Sequence, residues 1–288
     1  MSSFLQAYQR QPKLFIDLPS KGVFYNGDII EYHQFTSMPV FGMNAMDEII
    51  FKTPDALFSG EATAHVMNSC IPFIKDPWSI VGYDIDYILI SIRIATYGDA
   101  MPITTSCPHC SERNESDISL TKMLENFANC PVHASFEIGD LKINLRPITY
   151  RQNTDFSMEN FQFERQLLTV NDNKELNKDE KEKLIQQIFV DSSKLNLRLA
   201  VAHIDSIESA NEKESDQSEI LNFIQNNDSE FYSKLRNGIK DLTDKWNLPN
   251  IQIMCGSEEC SKTYSTALEL DYSNFFGTRS LNSRTLIL

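Results

Sequence analysis

The stretch Ile103-Thr104-Thr105-Ser106-Cys107-Pro108-His109-Cys110 runs from strand-like residues straight into a C-x2-C knuckle. Far downstream, Ile251-Gln252-Ile253-Met254-Cys255-Gly256-Ser257-Glu258-Glu259-Cys260 repeats the plan with a wider C-x4-C spacing. A tight turn of this kind aims two thiolates at one ion at about 2.3 Å, and two turns complete a tetrahedron. Strand-like residues also follow each knuckle, Ser116 to Leu120 and Tyr264 to Leu270. The pattern predicts a zinc-ribbon-like β element with Cys107, Cys110, Cys255 and Cys260 as metal ligands and Zn2+ as a structural cofactor. Four thiolates leave no position for water, so such an ion holds structure and runs no chemistry.

Residues 111 to 254 separate the two cysteine pairs. The ribbon is therefore split, and both ends of the inserted segment must meet in space. Cys130-Pro131-Val132-His133 is a C-x2-H pair and stands as an alternative source of a ligand. Cys70 stands alone and reads as a small core residue. The first knuckle also has the form of a disulfide-exchange motif, which would open a helix after a strand in a βαβ frame. Here Ser111 to Glu115 is a polar turn followed by alternating residues, which leaves thiol chemistry a minor alternative.

Outward from the knuckles, the chain reads as an α+β protein. It is mainly helical, with an N-terminal β segment at 1–40 and the split zinc-ribbon-like element. Val23 and Tyr25, then Ile29, Ile30 and Tyr32, have strand composition around Asn26-Gly27, a hairpin turn signal. Pro19-Ser20-Lys21-Gly22 reads as a turn. Residues 41–100 form a helical region: Asn44 to Asp47 opens one helix, Thr53-Pro54-Asp55 another, and Asp84 to Tyr97 carries a broad apolar face that Gly98 ends. Residues 101–150 hold the first knuckle and a hairpin bending at Gly139-Asp140. Residues 151–248 form a helical insert with an exposed loop at Asn171 to Asn177. It has an apolar stretch of ambiguous period at Leu195 to Ile207 and a solvated linker at Glu208 to Ser218. Its last helix runs from about Ser229 to Asn247, with Asp228 or Ser229 as its N-cap. Residues 249–288 hold the second knuckle, then Phe275-Phe276-Gly277 and a tail ending Leu286-Ile287-Leu288.

Composition excludes several classes of function. The net charge of −14 repels phosphate backbones, and no basic stripe offsets it, so nucleic acid is not an expected partner. The best apolar run, Tyr87 to Ile92, is too short to span a membrane and is followed by Arg93. MSSFLQAYQRQPK lacks the apolar core of a secretory signal, so folding is expected inside a cell, with reduced cysteines. Nucleotide-binding glycine loops, G-x-S-x-G and H-E-x-x-H are absent from the sequence, and His33, His65 and His203 sit in structural or exposed contexts. No enzyme is expected.

The order of motifs carries a resemblance. Asp17-Leu18-Pro19-Ser20-Lys21-Gly22-Val23-Phe24-Tyr25 comes first, then Asp86 and Arg93 before Tyr97-Gly98, then the Cys107/Cys110 knuckle. The Cys255/Cys260 knuckle and Phe275-Phe276-Gly277 close the set. This arrangement, from about Leu18 to Gly277, resembles the baseplate hub assembly proteins of T4-like bacteriophages. The resemblance implies a non-enzymatic, structural or chaperone-like role in building the hub of a contractile tail. Its implied partners are other phage tail or baseplate hub proteins, with the tape-measure protein a candidate. It implies a location in the host cytoplasm during virion assembly, with the virion tail as a further place. The alternative is a zinc-ribbon interaction module unrelated to phage tails.

Overall fold

In the first part of the chain, helix packing is organised by two buried carboxylates. The computed structural model describes residues 9–31, 37–127, 131–246, 248, 250–266 and 281–282. The chain divides into two units, Met1–Cys130 with Asn247–Leu288, and Pro131–Trp246. They are called here the ribbon unit and the insert unit.

The ribbon unit begins with β1 (Pro12–Ile16) paired antiparallel to β2 (Met38–Phe41). Three helices follow, α1 (Ala45–Phe51), α2 (Pro54–Phe58) and α3 (Glu61–Cys70), then a 3-10 turn at Pro77–Ser79 and α4 (Gly82–Tyr97). Asn44 and Asp47 form a reciprocal capping box at the start of α1, which satisfies two backbone donors a free helix end would orphan. Asp47 is fully buried and also takes bonds from Ser69 Oγ at 3.0 Å, His65 Nε2 at 3.1 Å and Arg10 Nη1 at 3.4 Å. One carboxylate thus ties α1 to α3 and to the segment entering β1.

Helix α4 is the core. Ile85, Ile88, Leu89, Ile90 and Ile92 are buried on nearly every side, the pattern of a helix enclosed by its neighbours. It packs on β1, β2, α3 and α5 (Leu120–Asn126). The Gly98 N–H closes it on the Ile94 carbonyl at 2.9 Å, with Gly98 at φ +91°. At its first turn Asp84 accepts from the Ser20 backbone N–H at 3.0 Å and from the Tyr25 hydroxyl at 2.6 Å. The Tyr25 oxygen in turn accepts the Val81 N–H at 3.1 Å. The motif Asp17 to Tyr25 is therefore a clasp over the N-terminus of α4, bent by Lys21 at φ +53° and Gly22 at φ +74°.

The expected hairpin at Asn26-Gly27 does not form. Residues 19–24 and 27–29 are consecutive turns, and Asn26 Oδ1 accepts the Asp28 and Ile29 N–H groups locally. Tyr25 is drawn to Asp84, and Ile30 is buried in an isolated bridge to Ile74. The N-terminal β element is β1 with β2 instead. Tyr32 and His33 lie outside the described residues.

The ribbon unit continues with β3 (Ala100–Ser106) and β4 (Arg113–Ser119), an antiparallel pair joined by the first knuckle. In the insert unit, β5 (Ala134–Ile138) and β6 (Leu141–Leu145) form the hairpin at Gly139-Asp140, with Gly139 at φ +60°. A helical hairpin follows, α6 (Tyr150–Asp172) and α7 (Lys178–Ala202), opened by the Thr149–Gln152 and Asn177–Glu180 capping boxes. The apolar stretch of ambiguous period then resolves. It finishes α7 and becomes β7 (Ile204–Glu208), which pairs with β6. The expected linker holds β8 (Lys213–Glu214) and the start of α8 (Gln217–Gln225). The last helix of the insert, α9 (Ser229–Thr243), is capped by Asp228 and packs on β5. Gly238 is required there, because a Cβ would overlap the Phe136 ring.

The Trp246 indole N–H donates to the Pro131 carbonyl at 2.9 Å, so the first and last residues of the insert unit meet. The ribbon unit resumes with β9 (Ile251–Met254) and β10 (Thr263–Thr266), joined by the second knuckle, and β11 (Leu281–Asn282), parallel to β3.

The clasp makes a pH prediction. Burial, offset in part by bonds from Ser20 and Tyr25, pushes Asp84 up to about 6. The ordinary unfolded value is about 3.9. The folded state therefore binds this proton more tightly, and the resulting stabilisation is present below about pH 3.9 and lost as pH rises through about 6. Urea denaturation of Asp84→Asn and wild type should show the variant gaining on wild type by roughly 2–3 kcal/mol between pH 3.5 and pH 7.5. A pH-independent difference would mean that folding leaves the Asp84 pKa where it is in the unfolded chain.

Candidate metal centre

Each knuckle is a strand turning back on itself with its backbone bonds already made. In the first, Ser106 pairs with Arg113, the Cys107 N–H donates to the Glu112 carbonyl at 2.9 Å, and the Ser111 N–H donates to the Cys107 carbonyl at 2.8 Å. In the second, Met254 pairs with Thr263, the Cys255 N–H donates to the Lys262 carbonyl at 2.9 Å, and the Ser261 N–H donates to the Ser257 carbonyl at 2.9 Å. The exit is the same in both: a serine after the second cysteine takes a positive φ, +62° at Ser111 and +44° at Ser261. The wider spacing adds two residues inside the turn and leaves its closure unchanged.

The two turns bring their four sulfurs together. Cys107 Sγ lies 3.9 Å from Cys260 Sγ, and Cys110 Sγ lies 3.5 Å from Cys255 Sγ. All four lie within 4.8 Å of one another. A disulfide would need about 2.05 Å, so these are separate thiols. A tetrahedron with 2.3 Å arms has edges of about 3.8 Å, which the observed separations bracket. The donor set therefore suits a thiolate-seeking ion such as zinc.

The electrostatics fit as well. Burial opposes ionisation of Cys107, but the His109 and Cys110 N–H groups and neighbouring thiols hold its pKa down to about 7. At Cys110 the Glu112 N–H favours the thiolate, yet burial and the other three sulfurs push the pKa up to about 12. Four sulfurs this close do not all ionise unaided, and a divalent cation reverses that order.

Beside the sulfurs stands a polar bridge that the cysteine spacing does not announce. Asn114, buried on β4, accepts the Gly256 N–H at 2.7 Å through Oδ1. Its Nδ2 donates to Tyr264 Oη at 3.1 Å and lies 3.8 Å from Cys255 Sγ. Tyr264 Oη lies 2.5 Å from Thr105 Oγ1, and Thr105 is the cross-strand partner of Asn114. The register of the first knuckle's strands sets Thr105 opposite Asn114 and so puts the two on one face.

Cys130 lies outside the described residues, as do Phe275, Phe276 and Gly277, and His133 is exposed and takes no part in the cluster. Cys70 is buried, its pKa pushed up to about 12 by burial and by Asp47. After Cys110 the chain enters β4, without the helix that a thioredoxin-like centre requires.

Asn114→Ala should lower stability by about 1–3 kcal/mol, because it leaves the buried Tyr264 hydroxyl without this partner and removes the acceptor of the Gly256 N–H. Chemical denaturation beside the outward-facing control Glu115→Ala checks this. Equal losses in the two variants would deny the bridge its role.

No curated protein and no solved structure matches the chain. A family described as T4 bacteriophage base plate protein matches residues 15–277, a span that holds the clasp, both knuckles and the insert between them. The chain belongs to that family of T4 bacteriophage base plate proteins.

Proposed function

We propose that this baseplate protein is a non-enzymatic assembly factor or structural component of the baseplate hub. We propose further that Zn2+ held by Cys107, Cys110, Cys255 and Cys260 closes its split ribbon. The observation that carries the metal reading is the four-sulfur cluster, drawn from two segments far apart in sequence. The family match supports a structural or assembly role with other phage baseplate proteins, in the virion tail or in host cytoplasm during assembly. The finer partners named by this reading are hub subunits and the tape-measure protein. The charge of −14 argues against nucleic acid as a partner. The segments at 101–150 and 249–288 act together as the metal-stapled part, and the segment at 151–248 acts as a helical module carried on it.

Zinc here would supply no reaction. It would fix two turns and the strands they join, giving a partner a preset surface. Mass-spectrometric metal analysis of protein purified without added metal should find stoichiometric zinc, and Cys255→Ser should lose it while Cys70→Ser keeps it. In co-expression with other baseplate proteins, wild type should purify in a complex that Cys255→Ser enters poorly. A metal-free wild type would remove the zinc. A complex indifferent to Cys255→Ser would separate the metal from the assembly role.

A further inference from the structure

An oxidant would not meet the four sulfurs of the metal centre equally. Cys107 and Cys255, the first cysteine of each knuckle, are only 1% and 3% exposed. Cys110 is exposed, and Cys260 is partly so. Two short sulfur separations each join an outward thiol to a buried one, and each crosses from one knuckle to the other. Cys110 meets Cys255 at 3.5 Å, and Cys260 meets Cys107 at 3.9 Å. The first pair combines the shorter gap with the more exposed sulfur.

An accessible thiol beside a second, resolving thiol is the setting in which oxidation stops at a disulfide. A disulfide holds its sulfurs about 2.05 Å apart, so Cys110 and Cys255 need close their gap by only about 1.5 Å. Side-chain rotation can supply that distance. The backbone of both turns keeps its strand and turn bonds meanwhile.

We propose that Cys110 and Cys255 form a reversible disulfide across the two knuckles, a second means of closing the ribbon. Hydrogen peroxide, or another hydroperoxide, is the oxidant. The Cys110 thiolate attacks a peroxide oxygen, the O–O bond breaks, and Cys110 becomes a sulfenic acid as the other oxygen leaves as water. The Cys255 thiolate then attacks the Cys110 sulfur, the S–O bond breaks, and hydroxide takes up a proton and leaves. Two thiols and one hydrogen peroxide thus give one disulfide and two waters, with two electrons passing from sulfur to oxygen. A reducing thiol reverses the step by exchange.

The disulfide depends on the sulfur positions alone. What it displaces, and when, rests on the zinc and hub reading. In a reducing host cytoplasm the cysteines stay thiols and hold the metal. In the oxidising surroundings of a released virion tail, the bond joins the same two segments, 145 residues apart, covalently. Two sulfurs tied in this way no longer donate as thiolates, so zinc is released as the bond forms.

The test uses the full-length protein with its zinc content measured first. It is treated with hydrogen peroxide, its remaining thiols are blocked with N-ethylmaleimide, and linked peptides are identified by mass spectrometry. The expected product is Cys110 joined to Cys255. A loop of 145 residues should also make the denatured chain migrate faster on a non-reducing gel, and dithiothreitol should reverse the shift. Cys110→Ser should lose the fast band, and Cys70→Ser should keep it. Zinc captured by a colorimetric chelator should rise in step with the bond. A bond within one knuckle, or any other pairing in place of Cys110 with Cys255, overturns the proposal. So does Cys110 driven to sulfinic acid while Cys255 stays a thiol. A zinc-free wild type that still forms the bond supports the pairing and removes the metal reading. A zinc-loaded wild type that never forms it does the reverse.

Discussion

Closing the ribbon requires two turns separated by residues 111–254 to place four sulfurs within 4.8 Å of one another. The entropic cost of closing a flexible loop of that length is about 4 kcal/mol, and it grows only logarithmically with length. The insert lowers it somewhat, because the Trp246–Pro131 bond holds its own ends together and leaves only short connections free. That saving is about 1 kcal/mol, a minor part of the balance. Structural zinc in small finger peptides contributes about 10–16 kcal/mol at neutral pH. The proposed ion thus exceeds the closure cost several-fold. A large insertion between the halves of a metal-stapled ribbon is therefore tolerable, provided the insert folds as a unit.

The rest of the ribbon unit uses the same device with carboxylates in place of sulfur. Asp47 and Asp84 are buried side chains that gather donors from segments distant in sequence. Their surroundings differ. Asp47 has the Arg10 guanidinium and the His65 ring beside it, so a cationic donor accompanies the burial. Asp84 has a backbone N–H and a phenol, and these neutral donors offset its desolvation only in part. The clasp over α4 accordingly favours the protonated carboxyl and weakens as pH rises through about 6.

Much of this was legible where one residue determines one local structure. Asn44, Gly98, Gly139 and Asp228 each act where their chemistry places them, because caps and tight turns need only near neighbours. The four cysteines were legible for a related reason, since a knuckle is a local turn even when its partner is remote. The failures share a cause as well. Asn26-Gly27 is a fair hairpin signal, but Tyr25 and Ile30 found better partners in Asp84 and Ile74 than in each other. Strand β7 was hidden because Ile204 and Ile207 continue the apolar run of α7 until β6 claims them. Tertiary partners decided both cases, and periodicity does not report them.

Asn114 shows why the knuckles can differ in spacing yet act alike. The C-x2-C turn satisfies itself, its inner N–H groups pointing at Cys107 Sγ. A C-x4-C turn has two more peptide groups to place. One N–H of that turn, from Gly256, donates to Asn114 on the strand leaving the opposite knuckle. Gly256 also suits the close approach, since a Cβ there would lie 3.3 Å from Asn114 Oδ1. Asn114 lets the longer turn close in the same way as the shorter one. The wide spacing is thereby accommodated by a residue that belongs to neither cysteine pair.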